Sequence, residues 1–237
     1  MSGFEEDVHE WLQGLGFSLD QVEVQGRAIQ LCSLGQEPQK GKLVIHEDLW
    51  HTRGLIIRGR LKALLGKSSR IHARETRAVK ITKPEAKAFL SNNHLHGLAG
   101  GKDFVGLELN GELCAMISFG KICPIHREDR VWQSAEIIRY CTKISYHVTG
   151  GLSKMISFYL TFRQPEDLMT YVDGEWSDGA GFRRQGFVET DTIPSQEFLV
   201  DPNTWKRYVV HEFSSAPADS VKVKNLGSRK LIKVLNK

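Results

Sequence analysis

Apolar residues recur at Leu152, Met155, Ile156, Tyr159 and Leu160, the i, i+3, i+4, i+7, i+8 stripe of an amphipathic helix. Gly150 and Gly151 stand directly before it. Apolar runs flank it, Glu136-Ile137-Ile138-Arg139-Tyr140-Cys141 upstream and Leu168-Met169-Thr170-Tyr171-Val172-Asp173 downstream. The segment from Ala135 to Phe187 therefore reads as strand, glycine turn, helix, strand, short helix. Free N–H groups and the positive end of the helix dipole make an anion site at such a start, and glycines let a phosphate come close. A plain turn is the alternative reading. Ligands favour strand ends in sheets of this kind, and here the helix begins beside them.

The rest of the chain bounds what surrounds that segment. Its 237 residues fit one generous domain or a domain with an appendage. Hydrophobic content of 41% and charged content of 25% predict an ordinary buried core. No apolar run has the length of a membrane span, and the acidic start Glu5-Glu6-Asp7 lacks an apolar signal core. The expected setting is a cytoplasm, with Cys32, Cys114, Cys123 and Cys141 as reduced thiols.

A net charge of +4 hides an asymmetry. Between His51 and Lys87 eleven Lys/Arg face only Glu75 and Glu85, a net of +9. From Thr161 to Asp201 the net is −6, and from Ser215 to Lys237 it is +5. Separated basic blocks suit a polyanion, with nucleic acid the leading candidate and a solvated basic helix with a frayed tail the alternative.

Phe4, Val8, Trp11, Leu12 and Leu15 predict an opening helix stopped at Gly14 or Gly16. Val22 to Leu31 reads as a short strand, and residues 35–41 as a loop. Arg53 to Leu65 reads as a basic helix turning Leu55, Ile56 and Leu61 inward. Arg70 to Ile81 reads as one strand. Thr82-Lys83-Pro84-Glu85 is a capping box opening a helix that fails near Asn93. Phe104 to Leu109 and Glu112 to Phe119 flank Asn110-Gly111, a type I′ hairpin signal. Cys123 to Asp129 reads as a connection, and Trp205 to Val210 as another strand.

Several side chains carry chemistry in this reading. Asp173, at a strand's end, either takes a proton and orients an amine or caps the turn at Gly174. Arg139, on an apolar strand, needs an anionic partner, either a structural carboxylate or a bound phosphate. Ser153 and Lys154 lie in the first helical turn, where they can add to a pyrophosphate site. Arg53, Arg58, Arg60 and Lys62, with His94 and His96 in a glycine-bounded loop, are candidate nucleic-acid contacts. His94 and His96 could join His126 or His147 on a metal, but an H-x-H pair without a third ligand is weak, and no metal site is assigned.

Taken in order, Asn93-His94-Leu95-His96-Gly97, Ile117-Ser118-Phe119-Gly120-Lys121, Arg139-Tyr140-Cys141, Gly150-Gly151-x-Ser153-Lys154, Tyr171-x-Asp173, Trp176-Ser177-x-Gly179 and Gly186-Phe187 resemble a family. The pattern looks like the C-terminal domain of phage Hef-type homing-endonuclease proteins, over roughly residues 45 to 230. That domain is similar to Mom-like DNA-modification proteins and to the GNAT acyltransferase fold. The resemblance implies an α/β fold with a GNAT-like mixed central sheet flanked by helices over residues 70–213. A small N-terminal module over 1–69 and a basic C-terminal extension over 214–237 would flank it. Only about 45 residues precede Glu47-Asp48-Leu49-Trp50, so the family's nuclease is expected to be absent or a remnant.

The implied activity is transfer from a CoA thioester, acetyl-CoA foremost, to DNA or a modified base in a phage-type system. Val148, Gly150, Gly151, Leu152, Ser153 and Lys154 would hold the cofactor, with Asp173, Arg139 and Tyr171 catalytic. A non-catalytic DNA-binding module and an acyltransferase acting on a protein or small amine are the alternatives. Phe182 stands where the family pattern has a tyrosine. Phenylalanine has no proton to give, so that role would pass to Tyr171 or Tyr140.

Overall fold

Asn110 and Gly111 both take positive φ, 52° and 83°, so the chain reverses tightly between two apolar runs. This is a computed structural model, and it describes residues 2–97, 99–127 and 130–235. The chain divides into two units. One comprises residues up to Lys67, Asp173 to Asp178 and Thr192 to Ser228. The other comprises Ser68 to Val172, Gly179 to Asp191 and the residues from Arg229 on.

The first unit opens on helix α1 (Gly3–Gln13), capped by reciprocal bonds between Ser2 and Glu5 and burying Phe4, Val8 and Leu12. Strands β1 (Glu23–Val24), β2 (Arg27–Cys32) and β3 (Leu43–His46) form a small sheet in which β2 and β3 run parallel. Helix α2 (Glu47–Leu64) follows, with non-helical torsions at Arg53. That kink shifts the phase of the buried face. Trp50, Ile56, Ile57 and Leu61 turn inward, and Leu55, expected inward, is 74% exposed. Later strands β13 (Glu197–Val200), β14 (Arg207–Tyr208) and β15 (Val221–Lys224) make a second sheet, with β13 central and antiparallel to both neighbours. The strand expected over Trp205 to Val210 is therefore two residues long. One ion pair and one buried polar contact tie this unit together. Arg207 grips both oxygens of Asp48, and His46 Nε2 lies 2.9 Å from Glu175 Oε1.

The second unit is built on one mixed sheet. Its strands are β5 (Arg77–Lys80), β6 (Asp103–Leu109), β7 (Glu112–Phe119), β8 (Cys123–Arg127), β9 (Arg130–Thr142), β11 (Asp167–Asp173), β12 (Val188–Ile193) and β16 (Ser228–Val234). The order is β12-β16-β11-β9-β7-β6-β5, with β8 paired to β9. Strands β5 to β9 pair antiparallel, whereas β9 and β11 run parallel. A separate parallel pair joins β4 (Ser69–His72) to β10 (Tyr146–Thr149).

Helices cover both faces of the large sheet. On one, α4 (Gly151–Leu160) buries Leu152, Met155, Ile156 and Tyr159 against Val105, Leu107, Ile117, Phe119 and Ile137. Each such side chain contributes roughly 1.5–3 kcal/mol, and the Tyr159 ring stacks on Phe119. On the other, α3 (Lys83–Asn93) buries Ala86, Phe89 and Leu90 against Phe104 and Met116. The fold is the expected α/β arrangement, a mixed central sheet flanked by helices.

Other segments also differ from expectation. Residues 70–81 form two strands, because Thr76 turns its N–H and its hydroxyl onto the carbonyl of Ala73 and interrupts the run. Within Cys123–Asp129, the described residues, through Arg127, form strand β8, an edge position that tolerates Pro124. The basic C-terminal segment supplies β15 to one unit and β16 to the sheet of the other. Leu231 and Ile232 are buried there, which an extension would leave in water.

Candidate functional site

The parallel register of β9 and β11 runs from Ser134–Asp167 to Ile137–Thr170 and ends there. Strand β9 continues to Thr142, paired among the described residues with β7. The cause lies one residue on. Ser118 pairs with Arg139 and Phe119 with Ile137, so Ile138 is an extra residue, a β-bulge that bends the strand. Among the described residues, from Ile138 onward the edge of β9 that faced β11 has no ladder partner, so backbone groups along it are open to other partners. Tyr171, just past the last residue of β11 that pairs with β9, is 39% exposed.

Helix α4 begins at the same end. A helix joining parallel strands runs antiparallel to them, so its N-terminus lies at their carboxyl end. Gly150 is the N-cap, with φ 79° and no capping side chain. The N–H groups of Gly151, Leu152 and Ser153 precede the first helical hydrogen bond, from Lys154 N–H to Gly150 carbonyl. That donor set suits an anionic group such as a pyrophosphate. Gly150 is exposed and Val148 and Gly151 are buried.

The structure gives two of these residues additional work. A Cβ on Gly151 would lie 3.1 Å from Val148 Cγ1 and 3.4 Å from Leu107 Cδ1, so a side chain there would crowd its neighbours. Lys154 donates to the carbonyls of Ala73, at 2.8 Å, and Thr76. Its ammonium pins the Ala73–Glu75 turn.

Arg139 is half-buried in the bulged part of β9. Its Nε donates to the Gly97 carbonyl at 3.3 Å and its Nη1 to the Ile138 carbonyl at 3.0 Å. Burial lowers its pKa, and Glu136 partly opposes this. Sequence reasoning passed over Glu136, although an acid inside an apolar run was a usable signal. Its carboxyl is half-buried, and burial pushes its pKa above the usual carboxylate range, with Arg139 pulling the other way. The loop carrying His94 and His96 approaches Arg139 through Gly97, and His94 Nδ1 accepts the His96 N–H at 3.1 Å. Among the described residues no group of three His, Cys, Asp or Glu could hold a metal ion.

Asp173 ends β11 and belongs with the turn that follows. Its Oδ1 accepts the Glu175 N–H at 2.9 Å, and its carbonyl accepts the Ser177 N–H at 3.1 Å. Tyr140 packs against the α4 core, where burial raises its phenol pKa. Phe182 meets Phe187 edge-on, with centroids 5.2 Å apart. Of the basic residues on α2, Arg53 is exposed and Lys62 partly so. Arg58 sits over the Trp50 ring and binds Asp7, and Arg60 sits over the Trp176 ring.

No protein-family model and no curated protein matches the sequence. Among solved structures the chain is similar to PH1933 from Pyrococcus horikoshii, at 15% identity and a TM-score of 0.42, over 69% of this chain and 100% of that one. It is similar to histone acetyltransferase HPA2 and related acetyltransferase from Corynebacterium glutamicum, at 11% identity and a TM-score of 0.43, over 69% and 98% of the two chains. It is also similar to a GNAT family acetyltransferase from Elizabethkingia anophelis with acetyl-CoA bound, at 13% identity and a TM-score of 0.39, over 68% and 99%.

Proposed function

We propose that this chain is a GNAT-like acyltransferase that uses a CoA thioester, acetyl-CoA foremost, and delivers the acyl group to an amine. The observation that carries this reading is the opening between β9 and β11 at the end of the sheet where α4 begins. An extended thioester arm fits such an opening, because the unpaired edge of β9 offers backbone groups to it. The N–H groups of Gly151, Leu152 and Ser153 receive the pyrophosphate, and the exposed, side-chain-free Gly150 leaves room for it. When bound, the cofactor supplies an activated acyl carbon.

Glu136 is the group we assign to proton removal. Its raised pKa makes it a better base than an ordinary carboxylate. It takes the proton that the amine releases as nitrogen bonds to the acyl carbon. Tyr171, exposed beyond the last residue of β11 that pairs with β9, gives a proton to sulfur as the C–S bond breaks. A backbone N–H on the unpaired edge of β9 supports the negative charge that develops on the carbonyl oxygen. Asp173 shapes its turn in this scheme.

DNA or a modified base is the acceptor favoured by the basic blocks and by the Hef-type and Mom-like pattern. A DNA-binding module without activity is the rival reading, and Arg53, exposed on α2, favours it equally. Calorimetric titration of the full chain with acetyl-CoA separates the two. Binding in the micromolar range, lost or weakened at least tenfold in Ser153→Pro, is the expected result. An absence of binding by the folded wild-type chain overturns the acyltransferase.

A further inference from the structure

We propose that Arg139 receives an oxyanion, carboxylate or phosphate, carried by the acyl acceptor close to the amine that Glu136 deprotonates. This rests on the acyltransferase reading and names the class of its acceptor.

Four other arginines of the same unit have carboxylate partners. Arg77 meets Glu108, Arg127 meets Asp167, Arg130 meets Glu166 and Arg163 meets Asp103. Arg139 is half-buried, yet among the described residues no Asp or Glu lies within ion-pair distance of it. Two backbone carbonyls occupy its Nε and Nη1. A guanidinium has five N–H donors, so most of its capacity is unused by these carbonyls, and its charge is opposed only at a distance, by Glu136. A charge taken out of water without a counter-ion is costly, and a ligand that brings the counter-ion removes that cost.

The neighbours fit such a ligand. The Ser118 hydroxyl, across the ladder from Arg139, is fully buried and has no hydrogen-bond partner. Glu136 precedes Arg139 by three residues, which a regular strand would place on opposite faces. The extra residue at Ile138 brings them to one face, and each shifts the other's titration electrostatically. A guanidinium and a basic carboxylate, near one another but not bonded, match a small molecule that bears both an amine and an oxyanion. Amino acids, aminoalkyl phosphates and nucleotides all qualify, and neutral amines do not.

The test compares acetyl transfer from acetyl-CoA to glycine, phosphoethanolamine and dCMP with transfer to ethanolamine and deoxycytidine. At least one anionic member should exceed its neutral counterpart by about tenfold or more in kcat/KM, chiefly through KM. Preference for glycine or phosphoethanolamine would identify a small acceptor, and preference for dCMP a nucleotide phosphate. Arg139→Gln should bring the ratio toward one, and Arg139→Lys should recover part of it. Failure to bind acetyl-CoA would overturn the parent reading. If acetyl-CoA binds, equal use of neutral and anionic amines, a ratio unmoved by Arg139→Gln, or no transfer to any of the five overturns the inference alone.

Discussion

The carboxylate of Asp173 accepts the backbone N–H of Glu175 at 2.9 Å, and this bond fixes how the chain leaves β11. The Asp173 carbonyl holds Ser177 in the same turn. Asp173→Asn keeps an acceptor at the same place and should move the melt little. Asp173→Ala should cost about 1 kcal/mol, the usual weight of a capping bond. Turnover per folded molecule should survive both changes. A thermal melt with single-turnover transfer decides the matter. A rate loss of a hundredfold in Asp173→Asn with an unchanged melt would return the catalytic role to Asp173.

At the start of α4 the informative substitution is Ser153→Pro. Proline is tolerated in a helix's first turn and removes one donor. The helix should persist by circular dichroism while acetyl-CoA affinity drops at least tenfold. Gly151→Val makes a poorer test, because its Cβ meets Val148 at 3.1 Å. Overpacking of that kind costs about 1–3 kcal/mol and would confuse impaired binding with impaired folding.

What the sequence made legible was local. The α4 stripe, the Asn110-Gly111 turn and the Thr82–Glu85 capping box each depend on residues within a few positions, and all three stand as read. What it concealed was pairing over distance. Strand β8 is a strand because β9 lies beside it, and β16 because the central sheet has a place for it. The same limit applied to the site. Basic residues read as phosphate ligands include Lys154, spent on two carbonyls, and Arg58 and Arg60, spent on tryptophan rings. The bulge at Ile138, which opens the sheet and unites Glu136 with Arg139, has no signature in Glu-Ile-Ile-Arg.

That division of labour on α2 is measurable. If DNA binds there, Arg53→Ala and Lys62→Ala should each flatten the log–log salt dependence by about 0.9 for every phosphate left unneutralised. Arg58→Ala and Arg60→Ala should instead lower stability by about 0.5–1 kcal/mol each, the worth of a cation–π interaction. Fluorescence anisotropy with a duplex across a salt series supplies the slopes, and denaturant melts supply the stabilities. A slope that moves with Arg58 and Arg60 but not with Arg53 and Lys62 would reverse the assignment.

Glu136 makes the sharpest prediction because its two readouts move in opposite directions. Burial raises its pKa above that of an unfolded glutamate. The native state therefore binds the proton more tightly than the unfolded state does. Stability is then greatest below the unfolded pKa and declines as pH rises through the native one. Glu136→Gln stays neutral and escapes that decline. Its melting temperature should exceed the wild type's at pH 7 and approach it near pH 4. Activity should move the other way. Wild-type kcat should rise with pH across the Glu136 titration, at a midpoint above the ordinary carboxylate range, because only the ionised group accepts a proton. Glu136→Gln should lose that limb and fall by roughly 10²- to 10⁴-fold, the weight of a positioned general base. Melts at both pH values and a pH–rate profile complete the test. A variant that gains stability at pH 7 with its rate intact would make Glu136 a buried acid without a catalytic role. A variant that loses stability at pH 7 would mean the carboxylate is anchored by interactions that outweigh its desolvation.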